Sequence, residues 1–237
     1  MTSKTIFRRV KAANLKYHMV QTGDQIAVGI SGGKDSLVLL HALQVLKEYS
    51  PLEFEVVPIT IDLGWGEDWN NISEFCTSLG LSHHIVKTQI GPLVFVERQE
   101  SNPCALCANL RSGSLNQTAV KLGCNKVALG HHLDDAVVTL MMSMIFEGQY
   151  RTFRPVTFLS RLEISLIRPL IYLEEKTIVQ MATSLNLPIK QNLCPVTGST
   201  NREQIKSFLD QLEKKYPYCK RRMLKAMENV NVSSFWD

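Results

Sequence analysis

Residues 25–36 combine a glycine-rich turn with a lysine at the junction between a predicted strand and a predicted helix. The sequence there is Gln-Ile-Ala-Val-Gly-Ile-Ser-Gly-Gly-Lys-Asp-Ser. Two adjacent glycines permit tight backbone bends, so that main-chain N–H groups converge on an anion. The following helix directs the positive end of its dipole to the same point, and Lys34 adds a formal charge. The segment therefore predicts a polyphosphate site. Its binding residues are Ser31, Gly32, Gly33, Lys34, Asp35 and Ser36.

The loop departs from the Walker A pattern at two positions. Val28 stands where that pattern needs its first glycine, and Asp35 follows the lysine where Ser or Thr is required. The remaining sequence, Ser-Gly-Gly-Lys-Asp-Ser, resembles the signature loop of the PP-loop ATP pyrophosphatases. That resemblance implies cleavage of ATP to AMP and pyrophosphate, with the AMP activating a carbonyl oxygen. The alternative is a strand-turn-helix junction in which the glycines occur by chance.

A second group of residues, Gly130-His-His-Leu-Asp-Asp135, follows a predicted strand and opens a predicted helix. Ligands of α/β proteins bind at this edge of the sheet, so Gly130 and Asp62, at the end of an earlier strand, are predicted to join the nucleotide site. Paired carboxylates beside phosphates suit Mg²⁺, which makes Asp135 a candidate magnesium ligand. The alternative is helix capping, which accounts for one aspartate.

The third group is a cysteine pair, Cys104 and Cys107, with Cys194 as a remote third member. Two thiolates separated by two residues can hold one metal or cluster from a single turn. A structural zinc site needs four ligands, and no second Cys-x-x-Cys occurs. Three ligands suit a 4Fe–4S cluster whose fourth iron binds exogenous sulfide. A persulfide or redox thiol pair, a zinc site and inert buried thiols remain open.

Alternating hydrophobic periods predict the elements that position these groups. Helices are expected near residues 5–20, 35–48, 68–79, 105–122 and 133–147, and strands near 25–30, 54–61, 82–88 and 126–129. This alternation predicts an α/β fold, a parallel sheet with helices on both faces. Pro58 indicates an edge position or a bulge for its strand. Beyond residue 150 we expect a loop, a short strand at 164–167, a helix from about 174 and two terminal helices, giving a catalytic domain over 1–190 and a helical extension over 191–237.

Composition bounds the class of protein. The chain has 237 residues, of which 45% are hydrophobic and 20% charged, as in an ordinary soluble globule. No apolar run approaches the roughly 20 residues that span a bilayer, and residues 1–9 lack a signal-peptide pattern. We therefore expect a cytoplasmic protein whose six cysteines are not a disulfide framework. Cys76, Cys124 and Cys219 are interpreted as structural.

The chain has a net charge of +4, and many of its basic residues are concentrated in three stretches. The first and last helices carry basic clusters, and the stretch 150–168 mixes arginines with aromatic residues, a composition suited to phosphate contact and base stacking. The alternative is that these side chains are solvated helix faces. The basic residues concerned are Arg8, Arg9, Lys11, Lys16, Arg151, Arg154, Arg161, Arg168, Lys214, Lys215, Lys220, Arg221, Arg222 and Lys225.

The order of the motifs narrows the resemblance. The glycine loop, the Cys-x-x-Cys followed by Leu-Arg111, the Gly-His-His-x-Asp-Asp run, Arg-Pro-Leu170 and the late lone Cys194 together resemble the tRNA 2-thiocytidine synthetase family over nearly the full length. The resemblance implies adenylation of the C2 oxygen of an anticodon-loop cytidine, followed by attack of sulfur held at the cluster. It further implies that Cys104, Cys107 and Cys194 ligate the cluster, while Asp135 and Arg111 flank the reaction centre.

The resemblance also implies partners and leaves alternatives. Expected partners are tRNA, bound by the basic terminal helices, and a sulfur donor such as a cysteine desulfurase or sulfide; a homodimer stays open. Extra cysteine pairs typical of the related 2-thiouridine enzymes are absent. Other readings are a ligase of the lysidine-synthetase type, a PP-loop enzyme that thiolates a small molecule, and a non-catalytic ATP-binding or metal-storage module.

Overall fold

A computed structural model describes residues 3–98, 103–190, 201–231 and 233. Within these residues, six strands form one sheet in the order β3-β2-β1-β4-β6-β5. All neighbouring strands are parallel except β5, which runs antiparallel to β6 at the edge. The strands are β1 (Gln25–Gly29), β2 (Glu55–Asp62), β3 (His84–Lys87), β4 (Lys126–Ala128), β5 (Val156–Leu159) and β6 (Ile164–Ile167).

Helices connect the strands and cover both faces of the sheet. A π-helical turn, Leu93–Glu97, follows α4, and a second one, Ser143–Glu147, follows α6. The second turn ends at Gly148, whose φ of 64° is left-handed. The helices are α1 (Ser3–Tyr17), α2 (Lys34–Tyr49), α3 (Asn70–Ser78), α4 (Ile90–Pro92), α5 (Pro103–Lys121), α6 (Leu133–Met142), α7 (Glu175–Ser184), α8 (Asn201–Lys215) and α9 (Cys219–Glu228).

The side chains of β1 alternate between two apolar cores, as a strand covered on both faces requires. Ile26 and Val28 belong to the larger core, which also receives α1, α2, α6 and α7. Ala27 belongs to the smaller core, which includes Cys107 and Leu115 of α5. The predicted α/β class, with a mostly parallel sheet and helices on both faces, is confirmed.

The prediction that Pro58 marks an edge strand or a bulge is wrong. Strand β2 lies between β1 and β3, and its register with β1 is continuous from Glu55 to Ile59. The Glu55 N–H donates to the Asp24 carbonyl, so odd-numbered residues of β2 bond to β1 and Pro58 faces the other side. Strand β3 begins to pair only at Ile59. The missing N–H of Pro58 would point to the side on which β3 has not yet begun to pair, so its absence costs no hydrogen bond between strands.

The C-terminal helices α8 and α9 pack against α6. Ile205 and Leu209 of α8 and Leu224 of α9 lie in the larger core. The predicted division of the chain near residue 190 falls beside residues 191–200, which the structure does not describe, so this division stays a prediction. No helix within the described ranges is long and apolar enough to cross a membrane.

Candidate active site

The loop between β1 and α2 is closed by hydrogen bonds among its own residues. The Ser36 hydroxyl donates to the Gly33 carbonyl oxygen at 2.9 Å and accepts from the Ser31 N–H at 3.2 Å. Gly32 adopts a left-handed φ of 79°, and Gly33 caps α2 with an extended conformation. The first N–H groups of α2 have no partner inside the helix, so they are available to an anion at this loop.

Gly130 brings the β4–α6 connection against the same loop. A Cβ atom at this position would lie 3.1 Å from the Asp35 carbonyl carbon and 3.2 Å from the Ser36 nitrogen. Because only glycine allows this approach without displacing the backbone, the two loops meet at the carboxyl edge of the sheet. The structure thus brings together the two motifs that the sequence placed about a hundred residues apart.

Gly32 is also the anchor of the chain that precedes Cys194. The Lys190 N–H donates to the Gly32 carbonyl oxygen at 2.9 Å. Lys190 Nζ lies 4.0 Å from the centre of the Trp69 ring and donates to the Asp68 carbonyl oxygen. A Cβ on Gly32 would lie 3.2 Å from Lys190 Cβ and 3.3 Å from the Trp69 ring. Trp69 and Lys190 therefore hold one side of the glycine loop, a role that the sequence did not indicate.

Three carboxylates surround the buried His132. Its Nε2 atom lies 3.3 Å from Asp135 Oδ2 and 3.7 Å from Asp35 Oδ1, and its Nδ1 atom lies 3.7 Å from Asp134 Oδ2. Burial alone would lower the pKa of His132, but these carboxylates outweigh it and raise the pKa above the ordinary value. The three aspartates thus favour the protonated form of this imidazole over the neutral form.

The two adjacent aspartates have different environments. Asp135 Oδ2 accepts the backbone N–H of His132 at 3.0 Å, and this bond caps α6. Asp135 Oδ1 lies 2.6 Å from Arg202 Nη2. Asp134 is buried and accepts from Lys220 Nζ at 2.8 Å and from the Glu175 N–H at 2.7 Å. Burial opposes ionisation, yet these partners hold the pKa of Asp134 well below its usual range. Asp134 therefore ties α6 to α7 and α9 rather than facing the cleft.

Lys34 lies in a charged network that the sequence did not predict. Its Nζ atom is 3.2 Å from Asp35 Oδ2 and 3.0 Å from Glu175 Oε1. Glu175 Oε2 in turn lies 2.7 Å from Lys206 Nζ. Although burial opposes it, the two acidic neighbours raise the pKa of Lys34, which stays protonated. Glu175, Lys206 and Arg202 come from α7 and α8, far from the glycine loop in sequence, so the sequence did not indicate their contacts with it.

The structure gives partial support for a cation beside the loop. Asp35 Oδ1 is buried and has no hydrogen-bond partner among the described residues, and such an oxygen suits Mg²⁺. Asp62, at the end of β2, accepts the Gly64 N–H at 2.9 Å. The residues that the structure describes contain no group of three His, Cys, Asp or Glu side chains arranged to hold a metal. A magnesium ion would therefore take most of its ligands from nucleotide phosphates and water.

Cys104, Cys107 and Arg111 lie on one face of α5, at the spacing i, i+3 and i+7. Cys104 is exposed, whereas Cys107 is only 8% exposed and belongs to the smaller core. Two sulfur atoms one helical turn apart suit a shared metal or cluster. Cys194 lies outside the described residues, so the predicted trio stays a prediction.

Packing at Leu115 orients this face of α5. The helix ends at the amino edge of the sheet, where the Leu122 carbonyl accepts from Gln25 Nε2 at 3.1 Å. A Cβ on Gly29, the last residue of β1, would lie 2.8 Å from Leu115 Cδ2. Arg111 is one turn nearer the N-terminus of α5, about 6 Å further along the helix axis. Arg111 and the cysteine pair therefore lie on turns that extend past the end of β1, where the glycine loop begins.

The interpretation of residues 150–168 as a stretch suited to phosphate contact and base stacking does not apply to Arg168. This residue is 7% exposed, its Nη1 atom donates to the Arg154 carbonyl oxygen at 2.6 Å, and its guanidinium lies 4.9 Å from the centre of the Phe153 ring. Phe153 also packs on His131, at 5.0 Å between ring centres. Arg168 is therefore part of a buried stack with Phe153 and His131 and is not available to RNA. Arg151, Arg154 and Arg161 are exposed.

The remaining described cysteines have properties of structural thiols. Burial raises the pKa of Cys76, Cys124 and Cys219 to about 11, with Glu213 adding to the effect at Cys219. A thiol with so high a pKa is protonated at neutral pH and is a poor nucleophile and metal ligand.

Comparisons with known proteins identify the family and the fold of this chain. A family model described as PP-loop domain matches residues 3–209. The solved U34-tRNA thiolase NcsA from Methanococcus maripaludis, with its 4Fe–4S cluster, superposes with a TM-score of 0.77 at 24% identity, covering 96% of this chain and 79% of that chain. An NH3-dependent NAD synthetase from Campylobacter jejuni gives a TM-score of 0.51 at 18% identity over 98% and 90%. At these identities the two structures show the fold. The chain belongs to the PP-loop domain family.

Sequence relatives narrow the family further. A tRNA-cytidine(32) 2-sulfurtransferase of Geobacter sulfurreducens is 39% identical, covering 96% of this chain and 90% of the relative. One of Geotalea daltonii is 39% identical, covering 99% and 94%. Within the PP-loop proteins, the chain is therefore a member of the tRNA-cytidine(32) 2-sulfurtransferase family and is a sulfurtransferase enzyme.

Proposed function

We propose that this chain uses ATP to replace the C2 oxygen of cytidine 32 in tRNA by sulfur. The observation that carries the proposal is the packing of Leu115 against Gly29, because it sets Cys104, Cys107 and Arg111 beyond the strand end from which the glycine loop starts. A phosphate site and a sulfur site at one edge suit a reaction that couples ATP to sulfur transfer. The choice of cytidine 32 as the modified nucleoside rests on the names of the two sequence relatives.

In the first step, the C2 oxygen of the cytidine attacks the α-phosphate of ATP and pyrophosphate leaves. The C2–O bond is kept, and the oxygen becomes part of a phosphate ester that leaves far more readily than an amide oxygen. Lys34 and the free N–H groups at the start of α2 stabilise the negative charge that develops on the departing phosphates. Arg111 binds phosphate as a fork of N–H donors. Asp35, with Asp135 as the second candidate ligand, would hold Mg²⁺, which when bound would neutralise further charge on the phosphates.

In the second step, sulfur at the oxidation state of sulfide attacks C2, the C2–O bond breaks, and AMP leaves with the oxygen. No net electron transfer is required when the donor is sulfide, whereas a persulfide delivered by a cysteine desulfurase would need two electrons from a thiol reductant to release sulfur at the same oxidation state. Cys104, Cys107 and Cys194 would hold a 4Fe–4S cluster, which when bound would supply an iron site for the sulfur. The exposure of Cys104 and the shared helix face of Cys104 and Cys107 support this assignment.

We assign tRNA binding to basic surfaces at both ends of the chain. Lys220 is excluded from this surface because it is buried and pairs with Asp134. Arg221 is exposed but pairs with Glu174, so it would have to leave this partner to contact RNA. Lys16 pairs with Glu228 at 2.9 Å. The exposed residues that remain are Arg8, Arg9, Lys11, Lys214, Lys215, Arg222 and Lys225.

Anaerobic reconstitution tests the proposal. Protein loaded with iron and sulfide is incubated with ATP, Mg²⁺, sulfide and a tRNA transcript, and the digested nucleosides are analysed by mass spectrometry. We expect 2-thiocytidine at position 32 and one AMP per thiolated base; Asp35→Asn should reduce both together. A uridine at position 32 serves as the substrate control. Formation of a different cytidine adduct, or AMP release without thiolation, would favour a ligase and contradict the proposal.

A further inference from the structure

Two cations of α8 pair with acidic residues of the candidate active site. Arg202 Nη2 is 2.6 Å from Asp135 Oδ1, and Lys206 Nζ is 2.7 Å from Glu175 Oε2. Arg202 and Lys206 are four positions apart and therefore share one face of the helix. Both α8 cations thus reach the same cleft as Lys34.

These ion pairs are not needed to hold α8 in place. Ile205 and Leu209 anchor the helix in the larger core, where they are 8% and 0% exposed. The Arg202 and Lys206 side chains are 46% and 43% exposed. Their partners Asp135 and Glu175 are less accessible, at 24% and 20% exposed. Because each cation keeps contact with water, we expect each pair to contribute on the order of 1 kcal/mol. They can therefore exchange one anionic partner for another at little cost to the fold.

The Glu175 carboxylate places Lys206 beside the lysine of the glycine loop. Lys34 Nζ lies 3.0 Å from Glu175 Oε1, while Lys206 Nζ lies 2.7 Å from Glu175 Oε2. Two ammonium groups that share one carboxylate are close enough to share one pyrophosphate. Arg202 adds a planar set of N–H donors, which matches phosphate oxygens in bidentate contacts. Three cations, Lys34, Arg202 and Lys206, are thus held by acidic residues of the glycine loop, of α6 and of α7.

We propose that Arg202 and Lys206 bind the β- and γ-phosphates of ATP and retain the pyrophosphate leaving group, exchanging Asp135 and Glu175 for phosphate oxygens. This inference rests on the proposed function, since it requires ATP at the glycine loop. It assigns to α8 a part of the nucleotide site that lies outside both sequence motifs. Loss of either cation should weaken contacts to the terminal phosphates and leave contacts to the AMP portion intact.

Isothermal titration calorimetry with ATP, pyrophosphate and AMP tests the assignment in the absence of tRNA. Arg202→Gln and Lys206→Gln should each weaken ATP and pyrophosphate binding about tenfold, the loss expected for one charge-assisted hydrogen bond, and change AMP binding by less than about twofold. Arg202→Lys should recover part of the affinity. Lys121→Gln, an exposed residue at the end of α5, is the matched charge control and should bind all three like the parent.

The outcomes separate the two proposals. If the parent protein binds ATP and both glutamine variants bind ATP and pyrophosphate as tightly, the α8 assignment is wrong while the proposed function stands. If AMP affinity falls in parallel with ATP affinity and thermal unfolding shifts downward, the residues act on the fold, and the assignment is again overturned. If the parent protein does not bind ATP, the proposed function itself fails.

Discussion

Lys220 Nζ lies 2.8 Å from Asp134 Oδ1 in a buried ion pair that joins α9 to the first turn of α6. Lys220 also contacts Asp210 of α8 at 2.5 Å. The second oxygen of Asp134 accepts the Glu175 N–H. One carboxylate of the aspartate motif therefore fixes the C-terminal helices to the catalytic core.

Breaking this ion pair should destabilise the protein strongly. Lys220→Met leaves the Asp134 carboxylate buried beside fewer positive groups, and we expect the free energy of unfolding to fall by about 3–5 kcal/mol, as measured by urea denaturation. Lys214→Met, an exposed change on α8, should stay within about 0.5 kcal/mol of the parent. Equal stability of the two variants would show that the pair is not important for folding.

Stability should fall on mild acidification because of His131. Burial and the charge of Arg168 lower the pKa of His131 from 6.5 to about 4. The unfolded chain then binds more protons than the folded chain between these pH values, so this contribution is complete above about pH 6.5 and is lost as the pH falls towards 4. The loss amounts to about 3 kcal/mol at most.

The test is the pH dependence of unfolding for His131→Asn, which cannot titrate in this range. We expect a shallower decline for this variant than for the parent between pH 6.5 and 4. His132 has the opposite sign, since its raised pKa stabilises the protonated folded state, and its effect disappears as the pH rises above 6.5. Identical pH profiles for parent and variant would exclude His131 as the source.

Gly32 and Gly113 form a matched pair for testing the loop geometry. Gly32→Ala forces a left-handed residue to carry a Cβ within 3.3 Å of Trp69 and Lys190, so it should cost about 1–2 kcal/mol and greatly weaken ATP binding. Gly113 lies within α5 with open space around it. Gly113→Ala should preserve ATP binding and stabilise the protein by about 0.5–1 kcal/mol. ATP titration and denaturation of both variants check this, and undiminished ATP affinity in Gly32→Ala would contradict the loop assignment.

The sequence predicted the parts of the fold whose signals are local. Alternating periods identified β1, β2, α2 and α5, because each buries a continuous apolar face. Strand β5 was missed: it has four residues, and Phe158 is 63% exposed, so it lacks the pattern of a buried strand. Pro58 was misjudged because a single chain position does not reveal which side of a strand is paired.

The site shows the same division. Ser31 to Ser36 and Gly130 could be proposed from sequence because such a backbone geometry requires particular residues at fixed spacing. The structure brings the two segments together, while their role in binding ATP stays a prediction. Arg202, Lys206, Glu175 and Lys190 were not assigned to the site, because their contacts join segments that are distant in sequence. Arg168 was grouped with the arginines suited to phosphate contact because composition alone does not show which arginine of a basic stretch stacks in the core.

The cysteine assignment predicts a difference between Cys104 and Cys124. Cys104→Ser should remove iron, sulfide and the brown colour of anaerobically purified protein, without loss of ATP binding or thermal stability, because Cys104 is exposed and outside the core. Cys124→Ala should retain iron, because burial raises the pKa of that thiol to about 11. Iron and sulfide analysis distinguishes them. A coloured, iron-replete Cys104→Ser protein would exclude Cys104 as a ligand.

The most direct test of the central claim is nucleoside analysis of tRNA from cells that lack this protein. We predict that 2-thiocytidine disappears from position 32, that the intact gene restores it, and that the Cys104→Ser gene does not. An undiminished level of 2-thiocytidine in the deletion strain, or loss of a different modified nucleoside, would contradict the account.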